Sequence, residues 1–292
     1  MSRVFSELHP LLRDALAEKG WEPTPIQDKV IGDLTKGHDR VIIAPTGSGK
    51  TMAGILPLFH RCLEEQWPSL SILYVTPLRA LNRDVDRRVT ELAEAVGLRV
   101  DVRHGDTSQS QRTKQTRRPP NLLVTTPETF QLMFSGKNLR KMLSTVQAIV
   151  IDEVHDLAAS ERGWQLSVGL SRLEALAGHS IQRLGLSATV GNPQEVATWL
   201  SPNHGKPIIA MGHRATELTV ESTLPTPDDE IASVDLTLSP RQHASYRALC
   251  DILRTEPPCL VFVNSRSEAE TLSTRLQVIA PDLAIGVHHG SL

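Results

Sequence analysis

Short apolar segments alternate with longer amphipathic stretches along the first two thirds of the chain. Apolar residues concentrate at positions 41–44, 71–75, 100–102, 122–124, 148–151 and 183–186. Such segments, separated by stretches with helical spacing, are typical of parallel strands whose sheet is covered by helices on both faces. The pattern therefore predicts an α/β fold built on a parallel sheet. A further helix is expected over residues 5–20, where leucines recur at helical spacing and Gly20 can end the helix.

The pattern changes after residue 190. Prolines, a glycine and histidines interrupt the alternation, and we place a linker at residues 206–217. A second α/β unit is predicted beyond it, with a helix at 240–253, a strand at 259–263 and a helix at 267–278.

The predicted domains are therefore residues 1–205 and residues 218–292. Roughly seventy residues follow the linker, which is below the usual size of a parallel α/β domain. We expect a truncated second domain, and a small complete appended unit is the alternative.

Polar residues follow each apolar segment of the first domain. In parallel sheets ligands bind at the carboxyl ends of the strands, so these residues are expected to face one crevice. The stretch after residues 41–44 is rich in glycine and consists of Pro45, Thr46, Gly47, Ser48, Gly49, Lys50 and Thr51. Strand, glycine-rich loop, lysine, hydroxyl and helix together form the pattern of a phosphate-binding loop.

This loop offers several kinds of phosphate contact. Glycines let successive backbone N–H groups point at phosphate oxygens, and a helix N-terminus adds unpaired N–H groups. Lys50 can reach the β- and γ-phosphates, and the Thr51 hydroxyl can ligate Mg²⁺. Ala44 stands where the general pattern has glycine. A chance glycine-rich turn is the alternative.

Gln27 lies upstream of the loop, after a turn that contains two prolines. Its amide carries a donor and an acceptor, which matches the N6 and N7 edge of adenine. The signal is weak alone, because a surface glutamine after a Pro-Thr-Pro turn is common. Beside a phosphate-binding loop it predicts an adenine site, with ATP as the ligand.

Asp152 and Glu153 follow the apolar segment at 148–151. Two adjacent carboxylates at a buried strand end repel each other unless a cation is present. Asp152 is suited to holding Mg²⁺ through water, and Glu153 is suited to deprotonating the water that attacks the γ-phosphate. A pair of solvated loop acids is the alternative.

His155 lies two residues beyond Glu153. A single histidine is more often structural than catalytic. Ser187 and Thr189, at the end of another predicted strand, nevertheless offer hydroxyl partners. A hydrogen bond between these groups would couple the two strand ends.

The remaining strand ends suit the backbone of a nucleic acid. Hydroxyls, a guanidinium and N–H groups at helix starts bind phosphates, and the side chains available are Thr76, Arg79, Thr125 and Thr126. A locally basic segment adds Arg103, Arg112, Lys114, Arg117 and Arg118. Because 4% of the residues are aromatic, we expect phosphate contacts rather than base stacking. A solvated basic loop is the alternative.

Composition narrows the class of protein further. The 292 residues are 40% hydrophobic and 22% charged, with a net charge of −2, so a nucleic-acid surface must be local. Cys62, Cys250 and Cys259 form no metal-binding pattern, which favours reduced thiols in a cytoplasmic protein. No apolar stretch is long enough to cross a bilayer and the N-terminus lacks a signal-peptide core, so we expect no membrane association.

Taken in order, these motifs resemble those of superfamily 2 helicases. From the Q motif to motif IV, the matching stretches are Gln27, 44–51, 76–81, 125–128, 152–155, 187–189 and 261–266. Proteins of this superfamily commonly open motif I with alanine, which accounts for Ala44. The resemblance around the Q motif also assigns Trp21 and Thr24 to the ATP site.

Within the superfamily, the chain most resembles the large helicase-related, or Lhr-type, proteins. The stretches that carry this resemblance are 104–107, 125–129, 152–157 with Arg162 and Gly163, 185–192, 261–270 and 288–292. The resemblance implies RecA-like domains, ATP and Mg²⁺ as cofactors, and a translocase that moves 3′ to 5′ on single-stranded DNA. It also implies unwinding of DNA or DNA–RNA duplexes, a link to DNA repair, and a nucleoid-associated location in a prokaryote.

The same resemblance assigns residues to the nucleic-acid contacts. They are Pro77, Arg79, Ala80, His104, Gly105, Thr126, Pro127, Asn264, Arg266, His289 and Gly290. The late helicase motifs with their arginine finger, and the winged-helix domain, would follow Leu292, so weak ATPase activity is expected for this chain. The other hypotheses are a DEAD-box RNA helicase, a non-catalytic ATP-dependent nucleic-acid-binding module, and a P-loop ATPase unrelated to nucleic acid.

Overall fold

The structure is a computed structural model that describes residues 3–77, 82–158, 160–188, 190–202, 205–209, 218–235, 237–256 and 258–288. The chain forms two compact units, Met1–His213 and Arg214–Leu292. The boundary between them falls inside the predicted linker at 206–217.

The first unit is built on a parallel sheet, which confirms the predicted fold class. Its strands are β1 Arg40–Ile43, β2 Ile72–Val75, β3 Val100–Arg103, β4 Leu122–Thr125, β5 Ala148–Ile151, β6 Gln182–Ser187 and β7 Lys206–Ile209. Their order across the sheet is β3-β4-β2-β5-β6-β1-β7, and each neighbouring pair is parallel. The carboxyl ends of β1, β2, β5 and β6 therefore lie side by side in the middle of the sheet.

Helices connect these strands and cover both faces of the sheet. In the first unit they are α1 Arg3–Ser6, α2 Pro10–Glu18, α3 Pro25–Leu34, α4 Lys50–Glu64, α5 Asn82–Ala95, α6 Gln109–Arg117, α7 Pro127–Met133, α8 Lys137–Leu143, α9 Val154–Ala158, α10 Glu161–Ala177 and α11 Pro193–Leu200. The helix predicted over residues 5–20 is two helices, because Pro10 opens α2 and His9 caps it by accepting a hydrogen bond from the N–H of Leu11.

Alternate residues of each strand enter opposite hydrophobic cores, as the pleat of a strand requires. Ile42, Tyr74 and Val150 pack against α2 to α5 on one face. Val41 and Leu73 pack against α7 to α11 on the other. All four residues of β2, β4 and β5 are buried, which explains why these strands appear as continuous apolar segments in the sequence.

The predicted linker was wrong at its start. Residues 206–209 form β7, which pairs with β1 at the edge of the sheet, so the first domain extends beyond residue 205. Its three apolar positions, Pro207, Ile208 and Ile209, are half-buried in this pairing. An edge strand that opens with lysine and proline carries a weak sequence signal, because proline is compatible with a strand only at an edge or a strand start.

The second unit contains α12 Pro227–Asp235, α13 Pro240–Thr255 and α14 Arg266–Ile279. The last two confirm the helices predicted at 240–253 and 267–278. The strand predicted at 259–263 was wrong: the described part of this unit contains no strand, and Leu260 and Phe262 are 86% and 87% exposed. An apolar run becomes a strand only where another strand pairs with it, and none does here.

Candidate functional site

The glycine-rich loop lies between β1 and α4 and depends on two left-handed glycines. Gly47 and Gly49 have φ values of +78° and +90°, which other residues rarely adopt. A Cβ at Gly49 would lie 2.7 Å from Nε2 of Gln27 and 3.0 Å from Oγ1 of Thr24. Glycine is therefore required there for its conformation and for the close approach of the turn that precedes α3.

Gln27 joins this turn to the loop. Its Oε1 accepts a hydrogen bond from the N–H of Thr24 at 3.0 Å, and its Nε2 donates to the carbonyl of Gly49 at 3.2 Å. Gln27 is 6% exposed, so both ends of its amide already have partners within the chain. Trp21 is half-buried against the core beneath α3 and α4. The adenine contacts of Trp21, Thr24 and Gln27 remain predictions.

Lys50 opens α4 and lies under the loop. Its ammonium donates to the carbonyls of Ala44 at 2.6 Å and Pro45 at 3.0 Å. Burial lowers the pKa of Lys50, while the charges of Glu153 and Asp152 act in the opposite direction. The loop also contains a buried hydroxyl, Ser48 Oγ, for which the described residues provide no hydrogen-bond partner. A lysine and a buried hydroxyl placed among backbone N–H groups suit an anion.

Asp152 lies at the end of β5 and is 8% exposed. Both carboxylate oxygens accept hydrogen bonds, Oδ2 from the Tyr74 hydroxyl at 2.7 Å and Oδ1 from the N–H of Glu153 at 3.0 Å. Burial raises the pKa of Asp152, and the bond from Tyr74 is the largest opposing influence. Sequence reasoning missed Tyr74, although a tyrosine inside a buried aliphatic strand is a signal, since its hydroxyl needs a partner.

Glu153 follows in a left-handed conformation, with φ of +46°. This φ is uncommon for a residue other than glycine, and such residues concentrate at functional sites. Burial raises the pKa of Glu153, and the neighbouring charge of Asp152 raises it further. Desolvated, adjacent carboxylates with Lys50 beside them form an electrostatic setting that a divalent cation would stabilise.

His155 connects the ends of β5 and β6. Its Nδ1 is 2.8 Å from the Ser187 hydroxyl and 3.5 Å from Oε2 of Glu153. Thr189 lies outside the described residues. The coupling role of His155, Ser187 and Thr189 remains a prediction, while the structure brings the first two into contact.

The threonines that follow or end the other strands are buried, and two of them form hydrogen bonds within the chain. Thr125 is fully buried and donates from its hydroxyl to the carbonyl of Arg103 at 2.8 Å. Thr126 caps α7 by accepting a hydrogen bond from the N–H of Thr129, and Pro127 opens that helix. The Thr76 hydroxyl is buried without a partner among the described residues.

The loop that contains His104 and Gly105 is held from below by Arg112. This guanidinium donates to the carbonyls of Thr107 at 2.9 Å, His104 at 3.1 Å and Gly105 at 2.9 Å. The N–H of His104 also donates to the Thr107 hydroxyl at 2.9 Å. Arg112 thus fixes the path of residues 104–107.

The five basic residues predicted to form one phosphate-binding segment do not share a single exposed surface, and phosphate binding by them remains a prediction. Arg103 is 6% exposed and donates to Gln115, and the guanidinium of Arg112 is committed to loop carbonyls. The carbonyl of Arg118 accepts from Arg99, which precedes β3, so the end of α6 lies near the amino ends of the strands, whereas the glycine-rich loop lies at their carboxyl ends. The number of charges along the sequence does not show that the two ends of α6 lie at opposite ends of the strands.

The other predicted nucleic-acid contacts belong to both units. Pro77 follows β2 in the first unit, and Asn264 and Arg266 lie at the start of α14 in the second unit. The N–H of Asn264 donates to Glu268 at 3.1 Å. The remaining residues, Arg79, Ala80, His289 and Gly290, lie outside the described residues.

Within the described residues, no group of three or more His, Cys, Asp or Glu side chains is arranged to hold a metal ion. A Mg²⁺ site built from one carboxylate, one hydroxyl and nucleotide phosphates does not require such a group. Among the described helices, none combines the length and hydropathy needed to cross a membrane.

Comparison with known proteins identifies relatives of this chain. The DEAD/DEAH box helicase family matches residues 24–196. ATP-dependent helicase Lhr-Core protein 2 of Thermococcus barophilus is 33% identical over 98% of this chain and 36% of that protein. The Lhr helicase/probable uracil glycosylase of Mycolicibacterium smegmatis is 38% identical over 88% of this chain and 18% of that protein.

A solved structure extends this comparison to the fold. The structure of Mycobacterium smegmatis helicase Lhr bound to ssDNA and AMP-PNP matches with a TM-score of 0.78 and 33% identity, over 96% of this chain and 37% of that one. The match confirms the RecA-like assignment of the sheet. This chain spans 18% to 37% of the length of these relatives. It belongs to the DEAD/DEAH box helicase family and resembles Lhr-type helicases along nearly its whole length.

Proposed function

We propose that this chain binds ATP with Mg²⁺ and forms part of an ATP-dependent translocase on single-stranded DNA. The observation that carries the proposal is that Lys50, after β1, interacts electrostatically with Asp152 and Glu153, after β5. These residues meet at the carboxyl ends of the central strands, beside a loop that requires its glycines. The Lhr relative whose structure contains ssDNA and AMP-PNP supports both ligands.

Each group at the site has a defined task in this proposal. Backbone N–H groups of the loop and the Lys50 ammonium bind the phosphates, so Lys50 exchanges the carbonyls of Ala44 and Pro45 for phosphate oxygens. The hard oxygens of Thr51 and Asp152 suit Mg²⁺, which when bound neutralises charge on the phosphates. Glu153 accepts the proton of the attacking water, a task for which a raised pKa is favourable.

The link between hydrolysis and movement is assigned to His155 and Ser187. Glu153, His155 and Ser187 form a continuous path of polar contacts between two strand ends. A change in the charge of Glu153 during hydrolysis alters the first contact of this path. We propose that the path transmits the state of the nucleotide to β6.

We further propose 3′ to 5′ movement, unwinding of DNA or DNA–RNA duplexes, and winged-helix and late motor domains as partners. These follow the Lhr resemblance. The 292 residues contain no stretch like the QxxGRxGR of late helicase motifs, so we expect nucleotide binding with weak nucleic-acid-stimulated hydrolysis. Strong stimulation by single-stranded DNA in this chain would contradict that expectation.

The role of Glu153 is tested by E153Q, with E161Q as a control at an exposed glutamate that opens α10. E153Q is expected to keep nucleotide affinity and to lose about 10²–10⁴-fold of the residual hydrolysis rate, the usual contribution of a general base. E161Q should match the parent chain. Unchanged hydrolysis in E153Q would remove Glu153 from the mechanism.

The choice of nucleic acid is tested by binding of matched single-stranded DNA and RNA over a range of salt concentrations. We expect tighter binding of DNA and an affinity that falls as salt rises, because phosphate contacts release counterions. Preference for RNA would favour a DEAD-box-like RNA helicase. Absence of salt-dependent binding to either strand would favour a P-loop ATPase unrelated to nucleic acid.

A further inference from the structure

Tyr74 occupies an unusual place beneath the nucleotide site. It is fully buried in β2, opposite Val150 of β5, and packs in the core beneath α4. Its hydroxyl lies 2.7 Å from Oδ2 of Asp152. The two residues are 78 positions apart in the chain. A buried aliphatic strand would not need a phenol here for packing alone.

The direction of the hydrogen bond follows from the chemistry of the groups. An ionised carboxylate only accepts, so the Tyr74 hydroxyl must donate its proton to Asp152. The bond ties the carboxylate at the end of β5 to a side chain of β2 that is buried in the core.

The Asp152 carboxylate is held at both oxygens. Oδ2 accepts from the Tyr74 hydroxyl and Oδ1 accepts from the N–H of Glu153, so the carboxylate cannot rotate freely. A carboxylate oxygen has more than one lone pair, so both oxygens keep acceptor capacity for a cation.

We infer that Tyr74 is a positioning residue that orients Asp152 for Mg²⁺. The inference rests on the proposed Mg²⁺-nucleotide site and adds to it a residue outside the helicase motifs. Tyr74 acts through the Asp152 carboxylate to which it donates, as the outer partners of metal ligands commonly do.

The test compares Y74F with the parent chain in equilibrium binding of a fluorescent ATP analogue, titrated with Mg²⁺ and repeated in EDTA. Phenylalanine keeps the ring and removes the hydroxyl. We expect the Mg²⁺ concentration for half-maximal binding to rise about 10–100-fold, the usual cost of losing an outer partner of a metal ligand. Nucleotide affinity in EDTA should stay within about twofold, since the phosphate contacts are untouched.

The matched control is Y246F, which removes the hydroxyl of the other tyrosine in the chain, a partner of Arg275 in the second unit. It should leave the Mg²⁺ dependence unchanged. Equal loss of affinity with and without Mg²⁺ in Y74F, or an unchanged Mg²⁺ dependence, would overturn the inference. Absence of Mg²⁺-dependent binding in the parent chain would instead contradict the proposed function.

A double variant gives a second readout. In D152N the carboxylate becomes an amide, so the group that Tyr74 is inferred to orient is already altered. Adding Y74F to D152N should then change the Mg²⁺ dependence by less than about twofold, because coupled residues are not additive. A further shift as large as in the parent chain would show that Tyr74 does not act through Asp152.

Discussion

At the scale of single residues, the site depends on contacts made by a residue without a side chain. Gly49 combines a φ of +90° with the approach of Gln27, whose Nε2 would lie 2.7 Å from an added Cβ. Gln27 also donates to the carbonyl of Gly49, so the two residues hold the loop against the turn before α3. Any side chain at Gly49 must displace Gln27 and reshape the loop.

G49A is therefore expected to lose at least about tenfold in nucleotide affinity, or about 1.4 kcal/mol. The control is G97A, because Gly97 has a similar φ of +79° and no atom within 4 Å of an added Cβ. Both variants should lose about 1–2 kcal/mol of stability from the left-handed backbone. Thermal unfolding and binding of a fluorescent ATP analogue measure the two effects. Equal nucleotide affinity in the two variants would show that Gln27 does not shape the loop.

The site residues predicted from motifs lie at local junctions. Lys50, Asp152 and Glu153 lie where a strand, a loop and a helix meet, and such junctions leave a sequence pattern. The contacts of Tyr74 and Arg112 could not be predicted in this way. Tyr74 bonds to a residue of another strand. Arg112, a predicted phosphate contact, donates instead to backbone carbonyls, which every residue possesses.

At the scale of elements, the loop at 104–107 shows how a helix can fix the path of a loop. Arg112, in α6, donates to three carbonyls of this loop. The planar fork of a guanidinium makes such a set of bonds possible, whereas an ammonium is a single point. We propose that this loop contacts nucleic acid, as the Lhr resemblance implies for His104 and Gly105, and that Arg112 contributes the shape of the loop rather than a phosphate contact.

R112K is therefore expected to weaken binding of single-stranded DNA by about tenfold, a loss close to that of R112A. The slope of log affinity against log salt should stay the same, because no phosphate contact is lost. If Arg112 contacted a phosphate directly, R112K would bind DNA with nearly the parent affinity. In R112A the slope of log affinity against log salt would then be smaller by about 0.7. R117A, at the other end of α6, is the control and should change neither quantity.

A buried carboxylate ties α12 to α13 in the second unit. Asp229 is 1% exposed and accepts hydrogen bonds from His243 at 2.8 Å and from Arg247 at 3.0 and 3.1 Å. The bonds from Arg247, the N–H of Thr226 and His243 lower the pKa of Asp229 far below its usual range. These contacts join two helices of a unit whose own apolar core is small.

D229N is expected to loosen the second unit at neutral pH. A lowered pKa means that the stabilisation is present above the unfolded-state value of about 3.9 and is lost as pH falls toward the folded-state value. Limited proteolysis of residues 218–288 should therefore be faster in D229N than in the parent chain at pH 7, with the difference shrinking in acid. D228N, at the exposed neighbouring residue, is the control. Equal protection of D229N and D228N would rule out this anchor.

Helices and strands could be predicted from the sequence where local caps stabilise a helix or where a strand is buried on both faces. α13 and α14 have clear caps, Ser239 and Ser265, that accept hydrogen bonds from the third helical residue. Residues 259–263 have the composition of a strand and form none, because pairing depends on a partner that composition does not reveal. β7 shows the reverse case, a strand whose sequence is too short and too polar at its start to be recognised.

At the scale of the whole molecule, the order of strands gathers motifs that are far apart in the chain. β1 and β6 adjoin, β6 adjoins β5, and β5 adjoins β2. The carboxyl ends of these four strands therefore bring together the glycine-rich loop, Ser187, Asp152 and Tyr74. The alternation of apolar and amphipathic segments was sufficient to predict a parallel sheet. It did not predict the strand order, which decides that Tyr74 of β2 lies beside Asp152 of β5.

The central claim is that the carboxyl ends of these strands bind ATP through the glycine-rich loop. Equilibrium binding of a fluorescent ATP analogue to the 292-residue chain in Mg²⁺ tests it most directly, with K50A as the variant and K36A as the control. Lys36 is exposed and precedes β1, at the opposite end of that strand from the loop. We predict saturable binding to the parent chain and to K36A, and a loss of at least about tenfold in K50A. Binding to K50A as tight as to the parent chain, or no binding to the parent chain, would contradict the account.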